Sequence, residues 1–188
     1  MGLTMLDLNG LERGGGLTYS PEPLSRLPRI WIGFVLAFGF LVAEIVELSQ
    51  GNADALGPYT VTAAILGWAY WFFCIHRFHK ILGQMTAQAY PITPRQAVGY
   101  HFIPVVGLFW FFKWARELSN FLSERTAVKM ASGTGLGAIL FVSTLAARLV
   151  DGFIGLSLLF GAALYISRKL RQVVAAHEKL RDSAEAFA

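Results

Sequence analysis

AVGYHFIPVVGLFWFFKW, residues Ala97 to Trp114, is an almost unbroken apolar run with His101 and Pro104 near its middle. If this run crosses a bilayer, everything after it lies on the far side; if it enters and returns, the chain stays where it began. From Gln96 to Phe112 there is no charge, and a helix of that length is about 25 Å long against roughly 30 Å of hydrocarbon. Pro104 removes a backbone donor inside the run, and Gly107 adds freedom beside it. Thr93-Pro94 is a helix start, an N-cap followed by proline in the first turn. The spacing therefore predicts a helix from about Pro94, a break near IPVVG, and a second helix running out through KWARELSNFL.

The rest of the chain places this stretch in a membrane. Of 188 residues, 55% are hydrophobic and 15% charged, with a mean hydropathy of +0.51; a soluble domain carries about 25% charged residues. Further apolar runs cover Ile30 to about Leu48, Tyr59 to about Ile75, Met130 to Ala147 and Gly152 to Ser167. The last two are too long for one crossing and are separated by Arg148, Asp151 and Gly152, which predicts a tight helical hairpin with short arms. Residues 1–29, which include ERGGGLTYSPEP, read as a flexible leader without the pattern of a signal peptide. Residues 168–188 keep helical spacing, with Leu170, Val173, Val174, His177 and Leu180 on one face, and read as an amphipathic tail.

Charge distribution decides between the two readings of Ala97–Trp114. The chain holds sixteen Lys and Arg. If the stretch does not span, all of them except Arg148 fall on one side; if it spans, Lys113 to Lys129 and the basic tail fall outside. The positive-inside rule favours the first arrangement. The expected fold is an all-α integral membrane protein with four transmembrane helices and a proline-broken re-entrant or interfacial pair. Both termini are then cytoplasmic. Five transmembrane helices, one of them kinked by proline, is the alternative. The net charge of +4 then reads as cytoplasmic anchoring, not as a nucleic-acid surface. A single cysteine, Cys74, excludes an internal disulfide.

YPITPRQAVGYHFIPVVGLFWFFKWARELSNFL resembles a bacterial family of uncharacterised multi-helix membrane proteins. That family carries a P-x-x-A-V-G-x-x-F-I-P motif, an apolar stretch and then a basic residue ahead of Glu. Here Ile92, Pro94, Ala97, Val98, Gly99, Phe102, Ile103, Pro104, Lys113 and Glu117 match. The flanking WFFCIHRFHKIL and ARLVDGFIGLSLLFG are similar to cyanobacterial members, so the resemblance covers roughly residues 60–170. It implies a bacterial inner membrane or thylakoid membrane and no particular activity. Where members often have Asn, this chain has Gly107.

Three groups of residues can carry chemistry. Glu44 and Glu47 sit near the outer end of the first span, where a carboxylate costs about 2.5–3.5 kcal/mol unless paired. Arg148 and Asp151 in the hairpin turn predict a structural ion pair with them that docks the hairpin; a proton or cation site is the alternative. His76 and His79 share a helical face by spacing, and His101 lies at similar depth, so together they are possible haem or chlorophyll ligands. No metal motif matches, and no cofactor is required. Arg77, Lys80, Arg95, Lys113 and Arg116, interleaved with Trp110 and Trp114, form an inner basic surface for anionic headgroups or other membrane protein subunits. The small-xxx-small pairs Gly33/Ala37, Gly39/Ala43, Ala63/Gly67, Ser143/Ala147 and Ser157/Gly161 permit close helix contact. No catalytic constellation is present, so the expected role is a non-catalytic accessory, assembly or scaffold subunit of a membrane complex. A small transporter or channel using Glu44, Glu47 and the break at Pro104 is one alternative, and a pigment- or haem-binding protein another.

Overall fold

The computed structural model describes residues 25–51, 57–86, 90–125 and 128–186, and among these every regular element is helical. The order is α1 (Trp31–Ser49), α2 (Pro58–Met85), α3 (Pro94–Gly99), a 3₁₀ turn at Tyr100–Phe102, α4 (Pro104–Arg125), α5 (Gly133–Leu149) and α6 (Gly152–Ala186). The leader before residue 25 lies outside the described residues. α1, α2 and α6 are long and apolar enough to cross a membrane, and α5 is a shorter apolar helix. α6 runs without interruption from the last apolar stretch into the amphipathic tail, burying Leu170, Val173 and His177 on one side.

The break in Ala97–Trp114 is a turn between two helices. Thr93 caps α3 through a capping box with Gln96. The helix ends at Gly99, and Ile103 is extended before α4 opens on Pro104. A proline in the first helical turn has no partner for the N–H it lacks, so it starts this helix instead of kinking one. Trp110 Nε1 donates to the Ala97 carbonyl at 3.1 Å, and the Trp110 ring meets Tyr100 edge-on at 4.5 Å. In a continuous helix residues 97 and 110 would stand about 20 Å apart. The turn instead brings the Trp110 side chain back onto the end of α3.

Neighbouring helices are fixed by residues without side chains. Gly33 lies under the Phe160 ring, Gly67 under Leu156 and Gly152 under the Phe40 ring. In the α5–α6 hairpin, Gly155 faces the backbone of Ala147, where a Cβ would overlap it. These contacts run α1 antiparallel to both α2 and α6, with α2 and α6 parallel. α4 passes along α5 in the opposite direction, with Gly133 against Arg116 and Gly137 against Phe112. Of the small-residue pairs, Gly33/Ala37, Ala63/Gly67 and Ser143/Ala147 thus serve packing inside the chain. At Gly39 and Gly161 an added Cβ would meet nothing, and each lines an open apolar groove, of about 550 Å³ between α1 and α2 and about 480 Å³ between α5 and α6.

Side-chain exposure divides the molecule into two halves. Among the described residues, exposed large hydrophobics occur from Trp31 to Leu48, Tyr59 to Phe73, Phe102 to Phe109, Ile139 to Val150, and at Ile154 and Leu158. None occurs at 74–101, at 110–138 where described, or beyond 158. The first set forms a belt that an apolar solvent would satisfy. Below it, α2 continues for about 18 Å and α4 for about 23 Å, with apolar residues turned inward. Cys74, Ile75, Phe78, Ile81, Leu82, Met85, Trp114, Leu118, Leu122 and Ile166 are buried there, while His76, Lys80, Lys113, Arg116, Arg168 and Arg171 are exposed. That is the pattern of a water-soluble bundle. The apolar run expected to end near Ile75 therefore leaves the belt at Phe73, and CIHRFHKILGQM belongs to the second core.

Candidate functional site

The four charged residues expected to form an ion pair are distributed differently. Glu47 is buried on α1, and its carboxylate accepts from Gly57 N at 3.0 Å, Tyr59 N at 2.8 Å, Thr60 N at 3.1 Å and the Thr60 hydroxyl. These backbone donors are the orphan N–H groups of the first turn of α2, and the helix dipole favours a negative charge at that end. Gly57 is required there, because a Cβ would strike the Glu47 carboxylate. Asp151 does the same for α6, accepting from Ile154 N at 2.7 Å. Glu44 is half-buried, within electrostatic reach of Asp151 and Glu47. Arg148 lies with its guanidinium 5.8 Å from the centroid of the Trp68 ring. The latch is therefore a carboxylate capping the next helix, α1 on α2, and not an arginine bridge to the hairpin. Backbone donors at apolar depth have no water to satisfy them, and they claim the carboxylates first.

The three histidines do not converge. His76 is exposed, whereas His79 is 1% exposed and packs between Tyr90, at 5.3 Å, and Trp114, at 5.6 Å. His101 is held edge-on to Phe72 at 5.6 Å and to Phe111 at 4.9 Å. Among the described residues no group of three His, Cys, Asp or Glu side chains is placed to hold a metal. Around His79 several buried polar atoms lack partners, namely His79 Nδ1, Tyr90 OH and Trp114 Nε1. Burial, with Glu117 nearby, pushes the Tyr90 phenol well above its ordinary range.

The basic residues do share a surface level. Lys80, Arg95, Lys113 and Arg116 are exposed and Arg77 half-buried. Arg77 lies 5.6 Å from the Phe73 ring centroid and Lys113 5.9 Å from that of Trp110. Phe73 and Phe109 are the last exposed large apolar residues on their helices, so both cations rest their charged ends over aromatic rings at the edge of the belt.

A small pocket was not legible in the sequence. It measures about 110 Å³ and lies where α2, the 3₁₀ turn, α4 and α5 meet, with His101 and Arg148 among its walls. The antiparallel run of α4 along α5, which sets Phe112 against Gly137, brings residues so distant in sequence to one level. No family model, no curated protein and no solved structure matches the chain.

Proposed function

We propose that this chain is a non-catalytic scaffold or assembly subunit of a bacterial membrane complex, in the inner or thylakoid membrane. It is anchored by α1, α2 and the α5–α6 hairpin as four crossings. The α3–α4 pair enters the bilayer from the cytoplasmic face and returns to it, so both termini are cytoplasmic. The tip of the hairpin lies beside Phe40 and Glu44 and leaves the last turn of α1 uncovered, which fits short crossings. The observation that carries the reading is the second core below the belt. Three helices extend past Phe73, Phe109 and Leu158 and pack into a bundle whose exposed residues include Lys80, Lys113, Arg116, Arg168 and Arg171.

Such a bundle presents Arg77, Lys80, Arg95, Lys113 and Arg116 at headgroup level, where each basic residue contributes about 1 kcal/mol of attraction to an anionic surface. It also leaves the two belt grooves at Gly39 and Gly161 open to other transmembrane helices. Gentle detergent extraction of the native membrane, followed by cross-linking from single cysteines at Asn120 and Gly39, tests the proposal. Expected are protein neighbours at both positions, and reagent access to the Asn120 site from the cytoplasmic side alone. A solitary monomer without neighbours, or access to the Asn120 site from outside intact cells, refutes it.

A further inference from the structure

We propose that the pocket at the α3–α4 turn binds a small monovalent anion, held by the Arg148 guanidinium and a ring N–H of His101. Independently of the scaffold reading, three features of the pocket point the same way. Its walls are Trp68 and Phe72 of α2, His101, Gly107 of α4, and Thr144 and Arg148 of α5, together with Phe111, Phe141 and Leu145. No carboxylate is among them. Glu47 and Asp151 are engaged at the starts of α2 and α6, so Arg148, exposed and lying over Trp68, faces a pocket with no carboxylate in its walls. A guanidinium keeps its charge at any physiological pH and offers five donors.

His101 supplies the second feature. Its ring nitrogens are buried and make no well-formed hydrogen bond, with the Ala97 and Val98 carbonyls as backbone acceptors beside them, between the edges of Phe72 and Phe111. An imidazole in either tautomer has an N–H to give, and leaving it unmet in an apolar wall is costly. The third feature is the nearby start of α4; Gly107, its fourth residue, forms part of the wall, and its own N–H donates to the Ile103 carbonyl. The start of a 22-residue helix carries the positive end of its dipole and favours anions. A Cβ on Gly107 would lie 3.0 Å from the His101 carbonyl oxygen and project into this crowded corner. The Thr144 hydroxyl donates to the Leu140 carbonyl at 2.9 Å and so offers the anion no donor.

Size and charge narrow the ligand. About 110 Å³ corresponds to roughly three or four waters at about 30 Å³ each, enough for a halide, a formate or a single carboxylate group. One arginine balances one negative charge. Exposed Phe102, Ile103, Leu145 and Leu149 surround the site, which places it at belt depth. The shared chemistry is therefore a monovalent anion, from solution or at the end of an acyl chain.

Thermal unfolding of the full chain in dodecyl maltoside distinguishes these sources, with chloride, formate or dodecanoate titrated against gluconate at constant ionic strength. Saturable stabilisation by chloride or formate supports a free anion; stabilisation by dodecanoate alone supports an acyl carboxylate. In either case Arg148→Gln, at an exposed guanidinium, and His101→Phe should each weaken the response at least tenfold, while Arg168→Gln leaves it unchanged. The proposal is overturned if no anion stabilises the wild-type chain, or if Arg148→Gln responds as the wild type does. Should His101→Phe fail to fold, the Arg148→Gln and Arg168→Gln pair decides alone.

Discussion

Two leucines on α2 provide a direct test of the division into belt and bundle. Leu66 is 51% exposed and Leu82 is 1% exposed, and both belong to the same uninterrupted helix. Leu82→Ala removes a fully enclosed side chain from a core that includes Phe78 and Leu118, and such truncations cost about 2–5 kcal/mol. Leu66 faces the surroundings of the belt. If that surrounding is lipid, acyl chains replace the lost contacts and Leu66→Ala costs under about 1 kcal/mol, since lipid is as apolar as leucine. Guanidinium unfolding in a mild detergent, followed by far-ultraviolet circular dichroism, measures both. Expected is a large fall in midpoint for Leu82→Ala and little change for Leu66→Ala. Equal effects would mean that residues 74–85 are solvated like residues 59–73, and the bundle below the belt would have to be abandoned.

Two further outcomes follow from the capping and burial. Glu47→Ala should lower the thermal midpoint far more than Glu44→Ala, because only the former strips four hydrogen-bond donors of their acceptor; similar midpoints would refute the capping role. The Tyr90 phenol is held protonated by burial, so folding is favoured below about pH 10, where free phenols ionise, and loses stability as pH rises beyond it. Tyr90→Phe should remove that alkaline loss, read as midpoints near pH 8 and about pH 11, and a loss of unchanged size would argue against it.

The helical start at Thr93-Pro94 was legible because a capping box is local: hydroxyl, amide and backbone lie within one turn. The expected helix, break and second helix were legible too, but the break falls at Tyr100–Ile103, ahead of most of the IPVVG stretch where it was expected. Pro104 reads as a disruption inside a helix when only the residues are seen, whereas it opens α4 after the chain has turned. The buried face of α2 below the belt was present in the spacing of Cys74, Ile75, Phe78, Ile81, Leu82 and Met85, with His76, Arg77 and Lys80 opposite. Overall hydrophobicity masked that spacing, because a run of apolar residues looks the same whether lipid or protein surrounds it.

Composition and the clustering of charge were enough to determine that the chain is all-helical and apolar enough for a membrane, since these depend on residue type and on distances of a turn or two. Which carboxylate meets which donor depended on tertiary structure alone. Residue type points Glu47 toward a charged side chain, but the unsatisfied N–H groups at the start of a neighbouring helix are just as strong a claim on it, and no side-chain pattern announces them. The juxtaposition of His101 with Arg148 likewise exists only because α4 runs antiparallel to α5, with Gly133 against Arg116 and Gly137 against Phe112, which sets residues 47 positions apart in sequence around one pocket.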